Sequence, residues 1–457
     1  MRGSAVRKPT VHATASRRRA ARPRAVARGG QAAIALGVLV AVAACGNGTT
    51  SAPGTSSAAG ATSASPASPS PSPTTPAATS PTATATGGTT HKPVPPPPHT
   101  SPTPPAVESC VNRVYDGMTQ AQRVGQLFMT AVTSTGMTSS ESTAITQGRA
   151  GSVFLMGHSS AGASAFKTVS DQAQRFSPTV RGVTVHMLVS TDQEGGKVQV
   201  LSGPGFSTIP SATTQGTFTT SALQSSATTW ARQLKAAGVN MNLAPVADTV
   251  PPNLVNVNQP IGRLQRYYST DPAVVATHST AFLRGMQQGG VLPTAKHFPG
   301  LGRVTGNTDT TANVRDTVTT TTDPYLAPFR SAVQAGSPFI MVSNAIYTKI
   351  DPASQAAFSS KVITGLLRGS LGFKGVVISD DLGNAVAVAD HTPAQRAIDF
   401  ISAGGDIVLT VRPSDIAPMT AAVLNRIPQN STFAKDVHDA VFRVLNEKHS
   451  AGLLSCG

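Results

Sequence analysis

The chain is 457 residues long with a formal net charge of +15, but nine of its 36 Lys and Arg fall within residues 1–28 and no Asp or Glu precedes Glu108, so the rest carries only +6. A mildly basic body with no Lys/Arg face interleaved with aromatics argues against nucleic acid as a partner. Three cysteines without a CxxC or a Cys/His cluster give no structural-metal signature.

The basic head, with Arg17–Arg18–Arg19, is followed by an apolar run at Ala32–Ala44 and then Cys45. A basic flank, about a dozen apolar residues and small residues before a cut site read as a secretory signal over residues 1–44. The run is too short for an ordinary membrane span, which takes about 20 apolar residues. Val42-Ala43-Ala44-Cys45 with Gly46 after it resembles a bacterial lipobox, which implies cleavage before Cys45 and lipid on its sulfur. Ordinary secretion with an incidental Cys45 is the alternative. Residues 45–106 are rich in Ser, Thr, Pro, Ala and Gly and have no apolar periodicity, so they are expected to stay extended as a tether. The protein is therefore expected outside the cytoplasm, lipid-anchored or secreted, with its function in residues 107–457.

Cys110 and Cys456 sit at the two ends of that region, and in an oxidising compartment they are expected to be joined. Met118–Phe128 has helical spacing with Thr119 as its cap. Eight short apolar or β-branched runs follow: Gln126–Val132, Gly151–Met156, Val183–Ser190, Asn240–Val246, Val291–His297, Phe339–Asn344, Gly375–Asp380 and Asp406–Val411. Continuous apolar character fits parallel strands buried on both faces. Helix-length segments lie between them at Ser221–Ala237, Pro272–Gly289, Asp323–Ala335, Lys361–Ser370, Pro393–Ala403 and Ser414–Arg426. This alternation predicts an α/β fold of the (β/α)8 TIM-barrel type. A doubly wound open sheet ranks second, since no GxGxxG follows the first strand. The segment Ala434–Leu454 is expected to be a helix outside the barrel.

In such a barrel the chemistry gathers at the carboxyl ends of the strands. The third run is followed by Asp192 and Glu194, the fourth leads to Asp248, the fifth ends in Lys296 and His297, the sixth gives Ser343 and Asn344, and the seventh gives Ser379, Asp380 and Asp381. The stretch Lys296–Thr311, KHFPGLGRVTGNTDTT, cannot continue as a helix past Pro299, Gly300, Gly302 and Gly306, and places Asp309 on a polar loop. In GVVISDDLG, neighbouring residues of a strand face opposite ways, so one Asp points into the pocket and the other caps a helix or binds backbone. A carboxylate held on the rim can attack an anomeric carbon, as in retaining glycosidases.

KHFPGLG, DQEGGKVQ at Asp192–Gln199, NLAPVAD at Asn242–Asp248 and LGFKGVVISDDL at Leu371–Leu382 together resemble glycoside hydrolase family 3, in its single-barrel β-N-acetylhexosaminidase branch. The resemblance implies a retaining hydrolase that removes terminal β-linked N-acetylglucosamine, often from peptidoglycan fragments. It implies no cofactor and no metal; a monomer is expected. It implies Asp380 as nucleophile and Asp192, Lys296, His297 and Arg266 as sugar ligands, with Arg263 a rival to Arg266. The chain departs from the family pattern at three places: Leu301 and Asn344 stand where histidines are usual, and Thr311 replaces the His of an Asp-x-His acid/base dyad. A threonine hydroxyl has no useful proton affinity near neutrality. Asp309 then becomes the candidate acid/base if loop closure buries it, or it merely orders the loop through an Asx turn. Glu194 or His158 entering the site is a second account. The third is an envelope lipoprotein that binds glycan with little or no hydrolysis.

Overall fold

The computed structural model describes residues 109–456; the export signal, Cys45 and the tether lie outside them. Eight strands follow in chain order: β1 Phe128–Thr133, β2 Ser152–Met156, β3 Leu188–Thr191, β4 Met241–Asn242, β5 Leu292–Phe298, β6 Phe339–Val342, β7 Val376–Ser379 and β8 Val408–Thr410. Every pairing between them is parallel, and β1 pairs with β8. A parallel bridge from Ile378 to Ile407 joins β7 to β8 and closes the ring. The strand residues are almost all buried, which is why they stand out as apolar runs.

Two short helices, Cys110–Gly117 and Gln120–Gly125, precede β1; after it come α1 Ser139–Gly148, α2 Ala163–Gln174, α3 Thr220–Ala236, α4 Pro272–Gln288, α5 Ala327–Gln334, α6 Pro393–Ser402, α7 Ile416–Arg426 and α8 Ser431–Ser450, with a single turn at Ala212–Gln215 between α2 and α3. Lys361–Ser370, expected as a helix, is one with π-type hydrogen bonding. Neither α1 nor α2 was legible as a periodic segment, because Ser, Thr and Gln dilute their apolar stripes. Tertiary contacts supply what propensity does not: Glu141 completes a capping box with Thr138, and its carboxylate also accepts Thr133 N at 2.9 Å and Thr133 Oγ1 at 2.7 Å. The helix expected over Met118–Phe128 shrinks to Gln120–Gly125, capped by Thr119 as predicted, because Phe128 already belongs to β1. Val183–Thr184 is not the start of β3 but pairs with Thr179–Val180 as a hairpin.

The amino ends of the strands are closed by α8. Lys448, wholly buried, donates to Gln126 Oε1 at 2.7 Å and Gly151 O at 2.8 Å. Arg443 reaches buried Asp406 at 2.7 Å, which also takes the guanidinium of Arg368 and the backbone N of Val377. Cys110 and Cys456 lie side by side with Cα atoms 6.1 Å apart, inside the span a disulfide bridges. With this end sealed, the open face is the carboxyl one. Among the described residues no helix is long and apolar enough to cross a membrane.

Candidate active site

A cavity of about 270 Å³ opens at the carboxyl ends of the strands. Asp192, Arg266, Lys296, His297, Asp309 and Asp380 all line it, so the structure brings together the six residues singled out from the sequence as catalytic or sugar-binding. Lys296 and His297 are neighbours on β5 and strict alternation would turn them to opposite faces. The register explains why both reach the cavity. Ala295 pairs with Ile340 and Phe298 with Val342, so two residues of β5 stand opposite Met341 alone. This is a β-bulge, which re-aims a side chain.

A ladder of alternating charges runs through the site. Lys296 Nζ lies 2.5 Å from Asp192 Oδ1 and 2.6 Å from Glu194 Oε1. Glu194 receives Arg266 through two parallel bonds, Nε to Oε2 and Nη2 to Oε1, both 2.8 Å. Arg266 Nη1 donates to Pro260 O at 2.8 Å, and Nη2 approaches His297 Nε2 at 3.4 Å. A guanidinium can only donate, so this approach counts as a hydrogen bond only where Nε2 offers its lone pair. Nδ1 in turn donates to Asp248 Oδ2 at 2.7 Å. Asp248 is fully buried, and its other oxygen accepts the backbone N–H groups of His297 and Leu301.

Glu194 does not line the cavity; it braces the two cations that do. Burial pushes its carboxyl up, but Arg266 and Lys296 outweigh burial and hold it at about 2. A carboxyl depressed in this way stabilises the fold above its ordinary range near 4.5 and loses that contribution as pH falls towards 2. Truncation strands buried Arg266 and leaves Lys296 with Asp192 alone, so Glu194→Ala is expected to lose about 3–5 kcal/mol of stability at pH 7. Urea unfolding checks this, and a midpoint unchanged from the parent's would refute it.

At the end of β7 both adjacent aspartates line the cavity, against the expectation that only one would, but they differ in their hydrogen-bond partners. Asp381 turns to backbone, accepting Gly383 N and Val411 N on Oδ1 at 2.8 and 2.9 Å and Asn384 N on Oδ2 at 2.9 Å. Asp380 keeps one oxygen on Asp381 N at 2.8 Å and leaves the other without a hydrogen-bond partner among the described residues. Burial raises the Asp380 carboxyl to about 6; His297 works against the rise, Asp309 adds to it, and Asp381 N–H and Lys296 oppose it. A half-buried carboxylate at the end of β7 and a second on a loop lining the same cavity are the means of nucleophilic and general acid/base chemistry at a glycosidic bond.

The loop Leu301–Asp309 folds over the cavity. Its tip is tied to the segment after β7 by Val386 N to Asp309 O at 3.2 Å and Ala387 N to Thr308 O at 3.0 Å. The turn at the tip is made by Asn307, whose Oδ1 accepts Asp309 N at 3.1 Å, so the Asx turn belongs to Asn307 and leaves the Asp309 carboxylate unspent on it. Thr311 is exposed and does not line the cavity, while Leu301 is buried in the wall. Neither alternative acid enters: Glu194 is spent on cations, and His158 is exposed and bound to Gln199 O at 3.1 Å. Arg263 is exposed outside the cavity, whereas its rival Arg266 lines it. Asn344 lies buried behind the rim and donates to Asp381 O at 2.9 Å. Asp248 and Asn307 were not singled out as site residues; the end of NLAPVAD carried the signal for the first, and nothing in the sequence did for the second.

The family model for the glycosyl hydrolase family 3 N-terminal domain matches residues 119–446. A beta-hexosaminidase of Xanthomonas oryzae pv. oryzae is 33% identical over 249 residues, covering 52% of this chain and 72% of that protein. One of Stenotrophomonas maltophilia is 35% identical over 255 residues, covering 52% and 71%. The crystal structure of a β-N-acetylhexosaminidase from Beutenbergia cavernae superposes with a TM-score of 0.71 at 47% identity, over 73% of this chain and 99% of that one. With a closed parallel barrel, paired carboxylates at its mouth and these relatives, the chain belongs to glycosyl hydrolase family 3 and is a glycosidase.

Proposed function

We propose that the protein is a retaining exo-glycosidase that removes terminal β-linked N-acetylglucosamine, or a closely related β-sugar, from cell-envelope glycans such as peptidoglycan fragments. The observation that carries this is Asp380 and Asp309 lining one cavity with a sugar-sized set of polar ligands beside them. In the first step an Asp380 oxygen bonds to the anomeric carbon. The bond from that carbon to the glycosidic oxygen breaks, and the departing oxygen takes a proton from the Asp309 carboxyl. In the second step water attacks the same carbon, Asp309 recovers a proton from it, and Asp380 leaves as carboxylate. Asp309 is exposed at the mouth of the cavity, on a loop that a departing glycosidic oxygen can reach. Asp192, Lys296, Arg266 and His297 orient the sugar hydroxyls. The silent-binder reading is not favoured, since a carboxyl is available where the histidine is missing.

The test is NMR of the fresh product from an aryl N-acetyl-β-glucosaminide. The β-anomer is expected first; initial α-anomer, or no turnover between pH 4 and 8, would sink the reading. We also propose export, a lipid on Cys45 and a Cys110–Cys456 bridge, supported by the basic-apolar head and by the adjacency of the two cysteines. The intact mass of membrane-extracted protein reads both modifications. A mass equal to the unmodified chain with three free thiols would refute them.

A further inference from the structure

The loop that carries Asp309 is anchored at two places. Its tip takes the Val386 and Ala387 amides of the segment after β7. The chain leaving it, Arg315–Asp316, pairs in parallel with Ile346–Tyr347, just beyond β6. One buried side chain connects the two anchors. The backbone of Gln355 bridges Ile346 in antiparallel fashion, and the next residue, Ala356, donates its N–H to Ala345 O at 2.8 Å. The Gln355 side chain spans to the other anchor: Nε2 donates to Ala387 O at 2.9 Å, with Asp390 Oδ1 3.5 Å from the same nitrogen. Gln355 is only 7% exposed and does not line the cavity.

Ala387 is thereby held on both sides. Its N–H goes to Thr308 O at 3.0 Å, and its carbonyl takes the Gln355 amide. The ends of the same segment are secured by Arg396, on α6. Nη1 donates to Leu382 O at 2.7 Å and Gly383 O at 3.0 Å, and Nε donates to His391 O at 2.8 Å. Between those clamps, among the described residues, no side chain but Gln355 hydrogen-bonds the backbone of residues 385–388. The two amides that meet the loop tip therefore rest on one carboxamide. Proton donation to a leaving oxygen needs the acid within hydrogen-bond reach, and a misplacement of about 1 Å costs up to about 10²-fold.

We propose that Gln355 is a positioning residue for the acid/base step, holding Ala387 so that the loop tip keeps the Asp309 carboxyl beside the glycosidic oxygen. The proposal rests on the reading of Asp309 as acid/base. Its test compares kcat/KM on phenyl N-acetyl-β-glucosaminide, whose leaving oxygen needs a proton, with that on the 2,4-dinitrophenyl glycoside, which departs unaided. Gln355→Met keeps the length of the side chain without a donor; Gln355→Glu keeps its shape but sets a carboxylate against the Ala387 carbonyl. In either variant the phenyl substrate is expected to lose about five- to fiftyfold and the dinitrophenyl substrate less than about twofold. In an Asp309→Asn background, adding Gln355→Met should change neither substrate by more than about twofold, because the residue acts only through Asp309. A merely structural lesion would lower both substrates alike and would persist in that background. The Tm of each variant shows whether it is folded, and Gln355→Glu decides by the same ratio if Gln355→Met does not fold. Equal losses on the two substrates, parental values on both, or an undiminished loss in the Asp309→Asn background overturns the proposal. Asp309→Asn with no dependence on leaving group of its own would instead overturn the acid/base reading beneath it.

Discussion

Asp380→Asn is expected to abolish turnover, lowering kcat on an aryl N-acetyl-β-glucosaminide by at least about 10⁴-fold. The amide keeps the shape of the side chain and can still accept Asp381 N–H, so the site should remain built. It cannot, however, form a glycosyl ester. Stability offers a control with a definite sign. Burial first, then Asp309, lifts the Asp380 carboxyl to about 6 against the opposing pull of His297 and Lys296. A carboxyl raised in the folded state disfavours folding once it ionises, so the parent loses stability as pH rises from about 4 through 6. The variant has no such charge, and its Tm at pH 7.5 should equal or exceed that of the parent. A well-folded Asp380→Asn protein retaining a tenth of parental kcat would remove Asp380 from the reaction. The same elevation sets the acid limb of the parent profile: only the carboxylate attacks, so kcat/KM should fall below about pH 6.

The second large effect is expected at Asp309, and it depends on the leaving group. With a phenol that departs unaided, Asp309→Asn should cost little in the first step. With an alkyl or sugar leaving group, which needs a proton, the loss should reach about 10²–10⁴-fold. The variant also deletes a negative charge that raises Asp380, so the acid limb should move to lower pH. The dependence on leaving group separates a chemical role from a purely structural one, because a disordered loop would depress every substrate alike. Equal small losses on good and poor leaving groups, with no change in the acid limb, would exclude Asp309 as acid/base. Thr311→Ala should be nearly silent, since that side chain is exposed away from the cavity.

Strand burial made much of the fold legible. Parallel strands covered on both faces leave runs such as Phe339–Val342 and Val376–Ser379, and the eight runs read from the chain correspond to the eight barrel strands. Helices α1 and α2 were not legible, because their stability comes from caps and from what they pack on. The site was legible as residue types: Asp192, Arg266, Lys296, His297, Asp309 and Asp380 were all nameable from spacing and resemblance, and all line one cavity. Their partnerships were not. That Glu194 is a brace for Arg266 and Lys296, that Asp248 clamps His297, and that Asn307 makes the loop's turn depend on contacts between residues 49 to 104 positions apart or on a local rotamer.

The order of apolar runs and turns therefore determined the barrel and the cast of side chains at its mouth, since burial periodicity is a local property of the chain. Which of those side chains meets a substrate was decided only when the ring closed. A one-residue bulge in β5 turns both Lys296 and His297 inward, backbone amides claim Asp381 and leave Asp380 available, and a loop tied to the β7 side carries Asp309 over it. These outcomes follow from register and from competition for hydrogen-bond partners across the barrel, and such long-range terms have no signature in the linear pattern.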